Sequence, residues 1–204
     1  THGVPSEKNA HPIVSGGVAV VHNGIIENYK VLKEELVKEG ANFVSDTDTE
    51  VISQLLNKAI LSGLQPVEAI LDVVNKINGS FAICAIFKDF GNLLIGVKNK
   101  SPLVVGYGKS APVMLCSDAI GLVDTCDKVL FLDDKEIVVA TSDEVKFLDF
   151  SGKELSKTFT ELTIDASSVA KDGYDHFMLK EIMEQPLAIQ NSLKDISLPS
   201  GVKK

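Results

Sequence analysis

Arginine and tryptophan are absent from this 204-residue sequence, and all twenty basic residues are lysines. Without guanidinium groups these residues supply no planar, bidentate clamp for a carboxylate or phosphate. Basic residues are also outnumbered, 20 against 28 acidic, for a net charge of -8 and a pI near 5.0. That balance opposes nucleic-acid binding, which needs clustered cations to displace phosphate counterions. No run of eighteen apolar residues exists, and the opening THGVPSEKNA lacks the charged start and apolar stretch of a secretory signal. Neither a membrane span nor export is expected, and the cytoplasm is the expected compartment. Cys84, Cys116 and Cys126 are odd in number, widely spaced and free of any CxxC pair. They predict neither a disulfide framework nor a zinc site, and no metal or other cofactor is expected. Internal repeats and low-complexity tracts are missing too. What remains is an ordinary globular composition, 45% hydrophobic with mean hydropathy +0.16, long enough for one buried domain and an extension.

Along the chain, GVAVVH (17–22) predicts a strand that stops at Asn23-Gly24, a turn dipeptide able to take positive φ. Asn28 is placed to cap a helix reaching about Glu39, with Leu32, Leu36 and Val37 on one face and Gly40 just past its end. A second short run, ANFV, leads into SDTDTE, where Thr47 and Glu50 have capping-box spacing. The predicted helix continues through Val51, Ile52, Leu55, Leu56, Ala59 and Ile60. Pro66 suits the first turn of another, carrying Val67, Ile70, Leu71, Val74 and Ile77.

From Ser80 the period changes. SFAICAIF carries apolar residues on both alternating faces, as a strand covered on each side requires. LLIGV, PLVVGYG, PVMLC, KVLFL, EIVVA and EVKFLDF follow, parted by turn-rich pieces. Helices early and antiparallel strands later predict an α+β fold of stacked sheets with helices outside. DASSVAKDGYD (165–175) reads as a polar linker between a domain at 1–164 and a helical piece at 176–204, in which Pro186 marks a break or a fresh helix start.

An isolated Asn-Gly is most often a turn, and an isolated Asp48 reads as an acid favoured by the helix dipole. Together, HNGIIENY (22–29) and SDTDTEV (45–51) resemble the glutaminase domains of the class II glutamine amidotransferases, which belong to the N-terminal-nucleophile hydrolases. Within that group THGxPSxxNAHP (1–12), SPLVVG (101–106), VLFLDD (129–134) and HFMLKEIMEQP (176–186) follow the pattern of the glucosamine-6-phosphate synthase family in order. The resemblance implies a four-layer αββα sandwich, incomplete at its N-terminus, and glutamine hydrolysis by an N-terminal cysteine through a thioester. That chemistry needs preplaced donors for a tetrahedral oxyanion and a grip on the glutamine ammonium and carboxylate. By resemblance, Asn23 and Gly24 form the oxyanion hole, Asp48 pairs with the substrate ammonium, and Thr1 and His2 contact its carboxylate. His11 and His22 are expected to be hydrogen-bonded near the site without being catalytic.

In the resembling family the nucleophilic cysteine and a carboxylate-binding arginine precede the segment that matches Thr1. Sugar-isomerase domains that bind fructose 6-phosphate follow the segment that ends here. The sequence therefore reads as a glutaminase-domain fragment, inactive alone, of an enzyme making glucosamine 6-phosphate and glutamate, with an exposed sheet edge that favours a homo-oligomer. The alternatives are a nucleophile-free glutamine-binding or regulatory module and the glutaminase domain of a phosphoribosyl amidotransferase.

Overall fold

The computed structural model of the chain describes residues 3–108, 111–163, 171 and 173–194. It divides into two compact units, Thr1–Ile164 and Asp165–Lys204. The first unit holds β1 (Ile13–Ser15), β2 (Val18–Ile26), α1 (Tyr29–Lys38), α2 (Thr49–Leu61), α3 (Pro66–Val74), β3 (Gly79–Phe87) and β4 (Leu94–Asn99). It continues with β5 (Val104–Gly108), β6 (Ala111–Cys116), β7 (Lys128–Phe131), β8 (Glu136–Ala140), β9 (Val145–Asp149), β10 (Glu154–Leu155) and β11 (Thr160–Glu161). The second unit contains α4 (Phe177–Lys194).

The strands form two antiparallel sheets, ordered β1-β2-β3-β4-β8-β9-β10 and β11-β7-β5-β6. Alternation explains the layering. On β3, Phe81, Ile83, Ala85 and Phe87 enter a core shared with Ile52, Leu56, Ile70 and Val73 of the helices. Their neighbours Ala82 and Cys84 face the other way, toward Val105 and Leu130 of the second sheet and Leu103 just before it. The second sheet repeats the pattern one layer further out, where Val104 and Val129 pack beneath a short 3-10 turn, Ala119–Leu122. The order is thus helices, sheet, sheet and a minimal outer cover. Each fully buried Ile, Leu or Phe contributes roughly 1.5–3 kcal/mol, so the doubly covered first sheet is the stable platform.

Several local expectations hold and others give way. Pro66 opens α3, where Gln65 and Glu68 form a capping box, and Gly40 takes φ 96° just past α1. Asn28 precedes α1 but does not cap it; its amide instead bonds the Lys76 carbonyl and the Asn78 N–H. The Thr47–Glu50 capping box is not made either, because α2 begins at Thr49 and Glu50 turns back toward the preceding loop. ANFV is part of that loop and not a strand. β2 does not stop at Asn23-Gly24: it runs on to Ile26, its register with β3 unbroken to Gly79. Pairing on one edge and a glycine's tolerance of φ 127° carry the strand through the dipeptide.

In the second unit α4 passes through Pro186 without a break. Good helix formers on both sides, MEQ before and LA after, offset the single backbone bond that proline removes. The expected linker lies largely outside the described residues. Among those described, no helix is long and apolar enough to cross a membrane.

Candidate functional site

β1 pairs only with Val18–Val20. From Val21 onward, the edge of β2 away from β3 faces the loop that leads into α2. The Ile26 N–H on this edge donates to Asp48 Oδ2 at 2.7 Å, and Asp48 is 3% exposed. Backbone N–H groups alternate from edge to edge along an antiparallel strand, so the Gly24 N–H shares the edge of Ile26. Asn23, Gly24 and Asp48 accordingly line one cleft of about 460 Å³, closed on its far side by Gly3–Pro5 and Asn9–His11. Thr1 and His2 lie outside the described residues.

Gly24 is the tightest point. A Cβ there would overlap the Ser80 carbonyl and stand 2.9 Å from Ser101 Oγ, while the two serine hydroxyls meet at 2.8 Å behind the strand. Only glycine lets the backbone approach this closely at φ 127°.

The loop facing β2 is shaped from beneath by a buried carboxylate. Glu50, 2% exposed, accepts the Val44 N–H at 2.9 and 3.1 Å and the Ser45 N–H at 2.5 Å. Ser45 Oγ and Thr47 Oγ1 meet at 2.8 Å, which tightens the turn that presents Asp48. At the first residue of α2, Thr49 Oγ1 lies 3.0 Å from His22 Nδ1 and 3.5 Å from His11 Nε2. Both histidines thus hold elements of the cleft wall together. On the rim, the Lys8 ammonium and the Asn9 amide hold the Asp46 carboxyl below its usual 3.8.

None of the three cysteines lines this cleft. Cys84 is in the inter-sheet layer, where burial pushes its thiol up to about 12, and Cys126 is buried beneath the outer turn. Such thiols are poor nucleophiles. Among the described residues no group of His, Cys, Asp or Glu could hold a metal ion. Size does not single the cleft out, since a mostly apolar groove of about 430 Å³ lies beside the β1–β2 turn. Convergent polar groups do. Sequence reasoning gave no role to Asn9, Asp46, Thr49 or the Ser80–Ser101 pair, whose partners lie up to 38 residues away; Asn9 falls in NAHP, Asp46 and Thr49 in SDTDTEV and Ser101 in SPLVVG, so the segments carried the signal and the pairings did not.

A family model described as a glutamine amidotransferase domain matches residues 2–123. The chain is 44% identical over 201 residues, 98% of its length, to glutamine–fructose-6-phosphate aminotransferase [isomerizing] of Gluconobacter oxydans (strain 621H). It is 48% identical over 196 residues, 95% of its length, to the protein of the same name in Aquifex aeolicus (strain VF5). It covers 33% of each, so it spans about a third of the curated relatives it matches. Among solved structures, a glutamine phosphoribosylpyrophosphate amidotransferase of B. subtilis superposes with TM-score 0.62 over 73% of this chain and 33% of that one, at 21% identity. A second, described as the allosteric regulatory enzyme of purine biosynthesis, gives 0.61 over 70% of this chain and 31% of that one, at 20% identity. These two structures share the α+β fold of layered antiparallel sheets.

Proposed function

We propose, from the premise that this chain belongs to the glutamine amidotransferase domain family, that it forms the glutamine-binding part of a glutamine–fructose-6-phosphate aminotransferase. The observation that carries the reading is the convergence of Asn23, Gly24 and Asp48 on one cleft. The Asp48 carboxylate, oriented by the Ile26 N–H, binds the substrate ammonium. The Asn23 side-chain N–H and the Gly24 backbone N–H stand ready for an oxyanion, and Thr1 and His2 contact the glutamine carboxylate.

In this reading a thiolate attacks the side-chain amide carbon of glutamine, and the carbonyl electrons move onto oxygen, where the two donors stabilise them. The proton removed from the thiol passes to the amide nitrogen, so collapse expels ammonia and leaves a thioester, which water cleaves to glutamate and free thiol. Cys84, Cys116 and Cys126 are not placed to attack; the resemblance assigns that role to an N-terminal cysteine outside these 204 residues. Ammonia then aminates fructose 6-phosphate to give glucosamine 6-phosphate, the sugar being bound by parts of the relatives beyond the matched third. The named relatives at 44% and 48% identity favour this sugar over the phosphoribosyl substrate of the structural neighbours, whose 20–21% identity speaks to fold alone.

A nuclear magnetic resonance titration of the 204-residue chain with L-glutamine tests the site. Saturable shifts are expected at the Gly24, Ile26 and Asp48 amides. Asp48→Asn should weaken binding about tenfold or more, since a charge-assisted contact is lost. The same chain should release no ammonia from glutamine. Shifts confined to another surface, or none at all, would sink the assignment.

A further inference from the structure

The far wall of the cleft is built differently from the near one. β2 and α2 are anchored in the core, whereas residues 3–10 contain only a 3-10 turn, Glu7–Asn9, with no buried residue and no strand pairing. What ties this segment to the loop before α2 is largely one side chain. Asn9 Nδ2 donates to the Val4 carbonyl at 2.9 Å and, more weakly, to Asp46 Oδ2 at 3.5 Å, and Asn9 Oδ1 accepts the Asp46 N–H at 2.9 Å. Each bond fixes the same orientation of the amide. Gly3 closes down on it at φ 81°, where a Cβ would come within 2.6 Å of Asn9 Nδ2 and 3.3 Å of Asp46 Cβ. The neighbouring Lys8–Asp46 pair, 2.7 Å apart, has both side chains about half exposed and is screened by water.

We propose that Asn9 is a positioning residue for the glutamine cleft: its amide latches the Gly3–Val4 backbone to the loop that presents Asp48, and so sets glutamine affinity without touching the substrate. The inference rests on the glutamine reading above and extends it to a residue on the rim. Its physical basis is the exposure of the bonds. Water can satisfy the Val4 carbonyl and the Asp46 N–H once the amide is gone, so removing it costs the fold little. It does release the wall, and a cleft that must be closed anew by each ligand binds more weakly by the fraction of chains found closed.

The test uses the 204-residue chain with Asn9→Ala, Asn9→Asp and, as a neighbour control, Lys8→Ala. Amide hydrogen exchange without ligand, thermal unfolding and titration with L-glutamine are measured on each. In Asn9→Ala the Asp46 amide should exchange about tenfold faster and glutamine binding weaken about tenfold, with Tm within about 2 °C of the unaltered chain. Asn9→Asp keeps the acceptor for the Asp46 N–H but has no donor for Val4 or for Asp46 Oδ2, and the Lys8 ammonium, 2.7 Å from that oxygen, offsets the repulsion between the two carboxylates. It should leave exchange at Asp46 protected while affinity still falls, a split that a merely structural residue would not produce. Lys8→Ala should change affinity less than about twofold. An Asn9→Ala chain that binds glutamine as the unaltered chain does overturns the proposal alone, as does a collapse of Tm, which assigns Asn9 to folding. Failure of the unaltered chain to bind glutamine overturns the site reading and the latch with it.

Discussion

The first turn and the middle of α2 are buried to the same degree by opposite chemistry. Ile52 and Leu56 are fully enclosed among Val20, Ile70, Phe81 and their neighbours, and dispersion and apolar area hold them. Two residues before Ile52, Glu50 is 2% exposed and Thr49 3%, but around them are backbone N–H groups, hydroxyls and a histidine ring. The apolar middle tolerates any arrangement that fills space and excludes water. The polar end tolerates only arrangements in which each donor finds its acceptor, because an orphaned polar group costs as much as the bond it lost. The first supplies stability and the second supplies a defined loop, which is what places Asp48.

The largest effect expected from this contrast is Leu56→Ala, which leaves a cavity in the helix-sheet core and should destabilise the chain by about 3 kcal/mol in urea unfolding. The shape of the cleft should survive it, so L-glutamine shifts at Gly24 and Ile26 should stay near their usual positions while the chain remains folded. A core mutant that lost the cleft while still folded would break the comparison.

Glu50→Ala comes next, at about 2 kcal/mol, because the Val44 and Ser45 N–H groups lose a buried acceptor. Here the order of consequences reverses: glutamine binding should suffer more than stability, since the loop that carries Asp48 is released. Equal binding by Glu50→Ala and the unaltered chain would show that the loop is held by something else.

The smallest effect is expected from acid. Asp46 is held below 3.8 by the Lys8 ammonium and the Asn9 amide. A carboxyl whose folded pKa is lowered adds stability that is fully present above its unfolded value and is lost as pH falls through the folded one. The rim contact should therefore be intact at neutral pH and loosen only below about pH 4. Asp46 is fully exposed, so the change should appear as faster exchange of nearby amides, with no separate unfolding step. Loosening that begins near pH 6 would show that a group other than Asp46 governs the contact.

The sequence by itself determined the parts that depend on local periodicity and on short-range chemistry. Alternation from Ser80 onward gave strands with two buried faces, Pro66 gave the start of α3, and the paired HNG and SDTDTE segments marked the residues that meet in the cleft. Tertiary structure decided the rest. Asn23-Gly24 became part of a strand because β3 pairs across it. The Thr47–Glu50 spacing lost its capping role because Glu50 found better donors in the folded-back loop. Asn9, to which the THGxPSxxNAHP segment assigned no role, gained its partner 37 positions away. Apolar periodicity is written into neighbouring residues because one face must meet the core whatever the details of that core. A polar side chain's role is written in the geometry of a particular donor and acceptor, and chain folding alone brings those two together.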